Sequence, residues 1–263
     1  MQRRPASLVL TSLLLLSLLG SAGVVSAQSS QAPDSVSIDL ATQASATQAS
    51  STPPLPTCAH VYVDIKTRFH ALSDWRKTLV DTRLRVGSTY KPQDLVPVSQ
   101  ANIAGGGQVR ALIIDDLKAM AAAARKAGKG IAVRSAYRSY SSQQSVFQGW
   151  VNSSGYSQAL KFSARPGHSE HQLGTTIDFR SASSQAAPWD YNDWATSKPG
   201  AWMQANAWKY GFVMSYPKGK FAKVCYGYEP WHYRYVGRKL AGQIHDSGLT
   251  PREYLWRHYE SQP

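Results

Sequence analysis

Apolar and polar positions along this chain recur at two periods, and the switches between them mark out its elements. In QVRALIIDDLKAMAAAARKAG (108–128), Val109, Ile113, Leu117, Met120 and Ala124 recur at helical spacing. Gly128 stands where a C-terminal cap belongs, so the pattern predicts a helix ending there. GIAVRSAYR (130–138) follows as a short β-rich run. Ser141 with Gln144 three positions on forms a capping-box pattern and predicts a helix over about 142–152. Residues 153–172 are punctuated by Ser, Gly and Pro and read as a loop around a short helix. LGTTIDF (173–179) has the period of two of a strand, with Thr176 and Asp178 on one face and Thr175, Ile177 and Phe179 on the other.

Further along, AWMQANAWKYG (201–211) reads as a helix ended by Gly211. VMSYP (213–217) and AKVCYGYE (222–229) read as two strands paired across PKGK. HYRYVGRKLAGQIHDSG (232–248) is amphipathic and predicts a helix closing at Gly248. Thr250-Pro251-Arg252-Glu253 joins a capping box to a proline in the first turn, predicting a last helix over 251–260. Helices alternate with short strands while the closing strands form a hairpin. The expected fold is therefore α+β, a single domain with a small, mainly antiparallel sheet flanked by helices.

The N-terminus departs from this pattern. Arg3 and Arg4 precede an apolar run through Leu19, and Val25-Ser26-Ala27 offers small residues before Gln28. This is the layout of a secretory signal peptide over residues 1–27, an uncleaved membrane anchor being the alternative. Residues 28–56 are rich in Ser, Ala, Thr and Gln, nearly free of large apolar groups, and read as a disordered linker. Residues 57–263 remain as the folded domain, a length that supports a real core.

Charge and cysteines fit export. The formal net charge of +13 falls to +11 when Arg3 and Arg4 are removed with the leader. A secreted or periplasmic protein this basic is drawn to anionic cell-wall polymers, and export argues against nucleic acid as the partner. With the leader gone no segment is long and apolar enough to span a membrane, and the expected state is a monomer. Cys58 and Cys225, both in the exported part, predict one disulfide, with two buried free thiols as the alternative.

The chemistry concentrates in PGHSEHQLGTTIDF (166–179), which holds His168, Glu170, His171 and Asp178. Asp178 on the strand and His171 in the turn before it, with Gly174 between, can converge on one point. A catalytic zinc takes three protein ligands, so a third is required. GYEPWHYRYVG (227–237) offers Glu229 and His232, which share a face if they lie on a helical turn. His232 would complete a His-Asp-His set and Glu229 would take a proton from the attacking water. The competing reading has Asp178 and His171 bonded to each other under the sheet while Glu229 pairs with an arginine. In VRSAYRSYSSQQ (133–144), Arg138 stands between Tyr137 and Tyr140, placed to bind a carboxylate or an oxyanion, or to form a structural salt bridge.

Together these segments resemble the VanY-type zinc D-alanyl-D-alanine carboxypeptidases and their relatives the D,D-dipeptidases. SAYRSYSSQ, SEHQLGTTID and EPWHYRYVG match that family's three motifs in order, and YKPQDLVPV (90–98) resembles a stretch usually upstream of them. The resemblance implies one Zn2+ per chain held by His171, Asp178 and His232, with Glu229 as catalytic acid/base and Arg138 as substrate or transition-state clamp. Ser169, Gln143 and Tyr137 are expected near the substrate. The implied activity is release of the terminal D-alanine from bacterial peptidoglycan stem peptides. L,D-carboxypeptidase, D,D-dipeptidase or endopeptidase action are alternatives on the same scaffold. A non-catalytic wall-binding module is the competing class, and the presence of Glu229 and every ligand candidate speaks against it. Thr176 and Ala136 depart from the family's usual alanine and glycine.

Overall fold

A computed structural model describes residues 53–59 and 63–262; the expected signal peptide and all of the expected linker before Pro53 lie outside the described residues. Two small strand pairs come first: β1 (Ile65–Lys66) beside β2 (Leu84–Arg85), and β3 (Leu95–Pro97) against β5 (Gln108–Arg110). The main sheet is built from β4 (Ala104–Gly105), β6 (Ile131–Ser135), β7 (Thr176–Ser181), β8 (Phe212–Met214) and β9 (His232–Tyr235). Its spatial order is β4-β6-β7-β9-β8, and every pairing except β4–β6 is antiparallel. The expected α+β fold with a mainly antiparallel sheet is the fold observed.

The helices are α1 (Ile114–Lys126), α2 (Tyr140–Ser154), α3 (Tyr156–Phe162), α4 (Lys198–Asn206), α5 (Phe221–Val224), α6 (Arg238–Ser247) and α7 (Pro251–Leu255). In α1 the predicted stripe is the buried one: Leu117, Met120 and Ala124 face the core, and Asp115, Asp116 and Arg125, Lys126 sit at the ends that favour their charges. The helix starts later than its periodicity suggests, because Val109 is spent on β5 opposite Val96. α2 is capped two residues early by Ser139, whose hydroxyl accepts from the Ser142 amide. α7 opens on the predicted box, with Thr250 and Glu253 capping each other reciprocally.

Two expectations at the C-terminal side are corrected. Residues 222–229 form no strand: Phe221–Val224 is a single helical turn, and the hairpin partner of β8 is β9. The segment from His232 to Tyr235 is that strand, so the amphipathic helix begins only at Arg238. The predicted disulfide is present, joining Cys58 to Cys225 over a separation of 167 with Cα atoms 5.1 Å apart. It closes the end of α5, where Cys225 is left-handed at φ 71°, and braces a turn instead of a strand.

The sheet's two faces are chemically different. Ile177 and Phe179 of β7, with Tyr233 and Tyr235 of β9, pack against Leu117, Met120, Trp194 and Met203 in the main core. Alternation along the strands sends Thr176, Asp178, His232 and Arg234 to the opposite face, where all four are buried. Buried polar groups require partners, and those partners make the site.

Candidate active site

The turn before β7 delivers the first ligand candidate. Residues 170–173 form one tight helical turn capped by the Ser169 hydroxyl, which accepts from the His171 amide at 3.3 Å. Gly174 ends that turn at φ 72°, and a Cβ there would lie 3.0 Å from Arg110 Cγ, so the chain bends into β7 only with glycine. Two residues on the site face later comes Asp178, and directly across the ladder His232. The His171 and His232 rings meet edge to face, 5.0 Å between centroids.

One ligand atom from each of His171, Asp178 and His232 lies within 4.8 Å of the others. Asp178 Oδ2 is 3.2 Å from His171 Nε2, and Asp178 Oδ1 is 3.0 Å from His232 Nδ1. The far nitrogens are fixed by other groups. His171 Nδ1 donates to the Ala136 carbonyl at 2.7 Å, which leaves Nε2 as the lone pair. His232 Nε2 contacts Glu170 Oε2 at 3.0 Å, which leaves Nδ1 facing Asp178. Tetrahedral zinc, with bonds of about 2.0–2.2 Å, wants ligand atoms roughly 3.3 Å apart, so this donor set fits it with a position left open. Such open three-ligand sites are catalytic, not structural.

Glu229 stands at the rim. Pro230 and Trp231 make a tight turn closed by the His232 amide donating to the Glu229 carbonyl at 3.1 Å. The helical turn expected for these residues is replaced by this one, which brings the same two side chains together. Glu229 Oε2 lies 3.6 Å from His232 Nδ1, and the Glu229 side chain keeps 23% exposure. Its ion-pair partner is this ligand candidate, not an arginine. Burial, with help from the Asp178 charge and against the pull of His232 and Arg138, raises the Glu229 carboxyl to about 7.

Arg138 follows β6, its amide donating to the His171 carbonyl at 3.2 Å. Its guanidinium donates to Gln143 Oε1 at 2.8 Å and Ser135 Oγ at 3.2 Å, while Gln143 Nε2 donates to the Ala164 carbonyl at 2.6 Å. Gln143 is thus engaged at both ends, and holds the arginine in place. Tyr137, half-buried beside it, is anchored through its amide to the Gln108 carbonyl. Ala136 adopts ordinary backbone angles, and Thr176, opposite Arg234, sits two rungs from the Asp178–His232 pair on the same face.

Glu170, to which the sequence assigns no role, braces the site from behind. It accepts from Ser215 Oγ at 2.6 Å and from Arg234 Nη1 at 3.2 Å, besides facing His232. Arg234 is fully buried and also donates to the Trp75 and Thr78 carbonyls. Burial alone would raise the Glu170 carboxyl, but the His232 hydrogen bond and the Arg234 charge hold it at about 2. His232 is disfavoured as a cation by burial, yet its bonds to Asp178 and Glu170 raise it to about 10. Burial keeps His171 below its ordinary value. His168 turns away, its nitrogens each 2.7 Å from Asp64 Oδ1 and the Asp81 carbonyl.

Known proteins resemble this chain over the same region. Residues 107–238 match the VanY family, described as D-alanyl-D-alanine carboxypeptidase. A putative carboxypeptidase of Bacillus subtilis, YodJ, is 40% identical over 182 residues, which span 67% of this chain and 66% of the relative. Among solved structures, the LdcB LD-carboxypeptidase superposes with a TM-score of 0.62 at 33% identity, covering 73% of this chain and 94% of that one. The vancomycin-resistance D,D-pentapeptidase VanY from a VanB-type cassette, solved with Zn(II), gives 0.58 at 28% identity over 69% and 99%. The matched span begins just ahead of β5 and ends at the start of α6, enclosing Arg138, His171, Asp178, Glu229 and His232. With that span as its centre, the chain belongs to the VanY D-alanyl-D-alanine carboxypeptidase family.

Proposed function

We propose that this protein is an exported zinc metallopeptidase that hydrolyses the terminal D-Ala-D-Ala bond of peptidoglycan stem peptides. The observation that carries the reading is the convergence of His171 Nε2, Asp178 and His232 Nδ1 beside a carboxyl raised to about 7. In it, His171, Asp178 and His232 hold one zinc, which supplies Lewis acidity and acidifies water at neutral pH. Glu229 takes the proton of the attacking water as that oxygen bonds to the scissile carbonyl carbon. When the C–N bond breaks, Glu229 returns the proton to the leaving amine. A general base poised near 7 suits both halves of this exchange. Arg138, held by Gln143 and Ser135, donates two hydrogen bonds to the developing oxyanion or the substrate carboxylate. Ser169 acts through the turn it caps, and Tyr137 borders the substrate.

The leader-like N-terminus and the +13 formal charge support action outside the cytoplasm on an anionic wall. Among the described residues no helix is long and apolar enough to cross a membrane. Likeness to LdcB favours one second reading, L,D-carboxypeptidase action on a tetrapeptide. Defined muropeptides analysed by mass spectrometry separate the two. Loss of one alanine from the pentapeptide supports the D,D reading, loss of the tetrapeptide's D-alanine supports the L,D reading, and intact substrates with the zinc-loaded protein overturn both.

A further inference from the structure

From Ser139 to Leu160 the chain contains no Asp, Glu, Lys or Arg, although charged residues make up 17% of the sequence. This stretch is the α2–α3 hairpin up to the last two residues of α3, Lys161 and Phe162, and the hairpin is mostly solvated: only Gln143, Phe147, Ala159 and Leu160 are buried along its two helices. Solvated helix faces ordinarily carry charge. Here serine, glutamine and asparagine take its place, and large apolar side chains stand among them. Val146 is 38% exposed, Trp150 42%, Tyr156 45% and Phe162 54%. Val146 and Trp150 are one turn apart on α2, and the Trp150 and Phe162 rings lie 6.1 Å apart, inclined by 33°. Tyr156 meets the buried Phe147 edge to face at 5.8 Å. Gln148 and Asn152 bond to each other alongside, 2.8 Å apart.

Folding gains nothing from leaving these rings in water, and contiguous exposed patches of this kind mark binding surfaces. The patch is also fastened to the active site. Gln143 on α2 holds Arg138, and Gln143 Nε2 reaches the Ala164 carbonyl just past α3. The Lys161 carbonyl accepts from the Gly227 amide at 3.4 Å, two residues before Glu229, and the Phe162 ring lies against Gly227.

The chemistry of the surface selects its ligand. Aromatic faces pack against the C–H faces of pyranose rings, and neutral amides and hydroxyls match sugar hydroxyls and acetamido groups. An anionic polymer would call for clustered Lys and Arg, as would an anionic bilayer surface, and the two helices carry a single cation, Lys161 at the end of α3. We propose that the exposed face of α2 and α3 binds the N-acetylated sugar chain to which the stem peptide is attached, so that glycan-linked peptides are preferred over free ones. This rests on the peptidase reading above for its substrate, and on the surface itself for its binding.

The test uses the full chain and a Trp150→Ala/Phe162→Ala double variant, with matched thermal melts showing that both fold. Turnover is measured on a free pentapeptide and on the same pentapeptide carrying its disaccharide. The wild type is expected to favour the glycan-linked substrate about tenfold in kcat/KM, the scale of one or two aromatic contacts. The double variant is expected to bring the two substrates to parity by losing the glycan-linked rate alone. Equal rates on both substrates in the wild type, or equal losses on both in the variant, would overturn the proposal. Retention of peptide-free glycan strands by the protein, with zinc removed, reads the surface without activity: the wild type binds and the variant does not. Glycan strands that fail to bind, with or without retention on phosphatidylglycerol vesicles through the same two residues, would also overturn it. If neither substrate is cleaved, the peptidase reading fails while the strand-binding result still decides this one.

Discussion

Removing Glu170 tests whether the carboxylate behind His232 supports the site. In Glu170→Ala, His232 Nε2 and Ser215 Oγ each lose a partner, and Arg234, wholly buried, loses its only carboxylate among the described residues. Breaking one side of a buried ion pair costs about 3–5 kcal/mol, because the remaining charge stays out of water. For a domain of this size that is a fall in Tm of roughly 6–20 °C. A hydrogen-bond partner behind a ligating histidine is worth about 10–100-fold in metal affinity, so zinc binding should weaken by that factor as well. Glu170→Gln keeps an acceptor for His232 but removes the charge opposite Arg234. It should lose most of the stability and less of the zinc affinity. Urea unfolding of chelator-treated protein gives the first quantity, and competition with a chromophoric chelator gives the second. A stability change below about 1 kcal/mol with unchanged zinc affinity in Glu170→Ala would refute the reasoning.

Three further outcomes follow from the same geometry. In chelated protein, His232 is raised from 6.5 to about 10 and Glu229 from 4.5 to about 7. Both bind protons more tightly folded than unfolded, so the stability they lend is lost as pH rises through those values. Glu170, lowered from 4.5 to about 2, lends stability that is lost only as pH falls towards 2. Melts between pH 6 and 9 should therefore show the chelated protein weakening while zinc affinity rises, since ligands must shed protons; parallel trends would contradict this. Arg138→Lys keeps a positive charge but cannot bond Gln143 and a substrate together. Its kcat/KM should fall by about 10²-fold with zinc content unchanged, measured on the wild-type substrate. Cys58→Ala with Cys225→Ala should cost about 2–5 kcal/mol by denaturant titration, with the loss matched by reducing the wild type.

Where local chemistry decides a feature, the sequence shows it. Thr250 and Glu253 cap a helix because their spacing allows nothing better, and the HQLG turn leads His171 and Asp178 to one face. The failures have tertiary causes. Val224, Tyr226 and Tyr228 alternate like a strand, yet this stretch is pinned by the Cys58 disulfide and starts from a single helical turn. Periodicity joins His232 to α6, because nothing local says that β7 and β8 recruit residues 232–235 as the strand between them. Glu170 is illegible in the sequence for a similar reason: the groups it pairs with, Ser215 and Arg234, lie 45 and 64 positions away. Only once β9 is known to be a strand does Arg234, two residues after His232, fall on the same face and point to a buried acid.

The central claim is that three side chains hold the zinc and a fourth, Glu229, moves the proton. Zinc content and turnover of Glu229→Gln, measured side by side with the wild type, test it most directly. The account predicts one zinc per chain in both proteins and hydrolysis lost from the variant by at least about 10²-fold. Full activity in Glu229→Gln, or loss of its zinc, would contradict it.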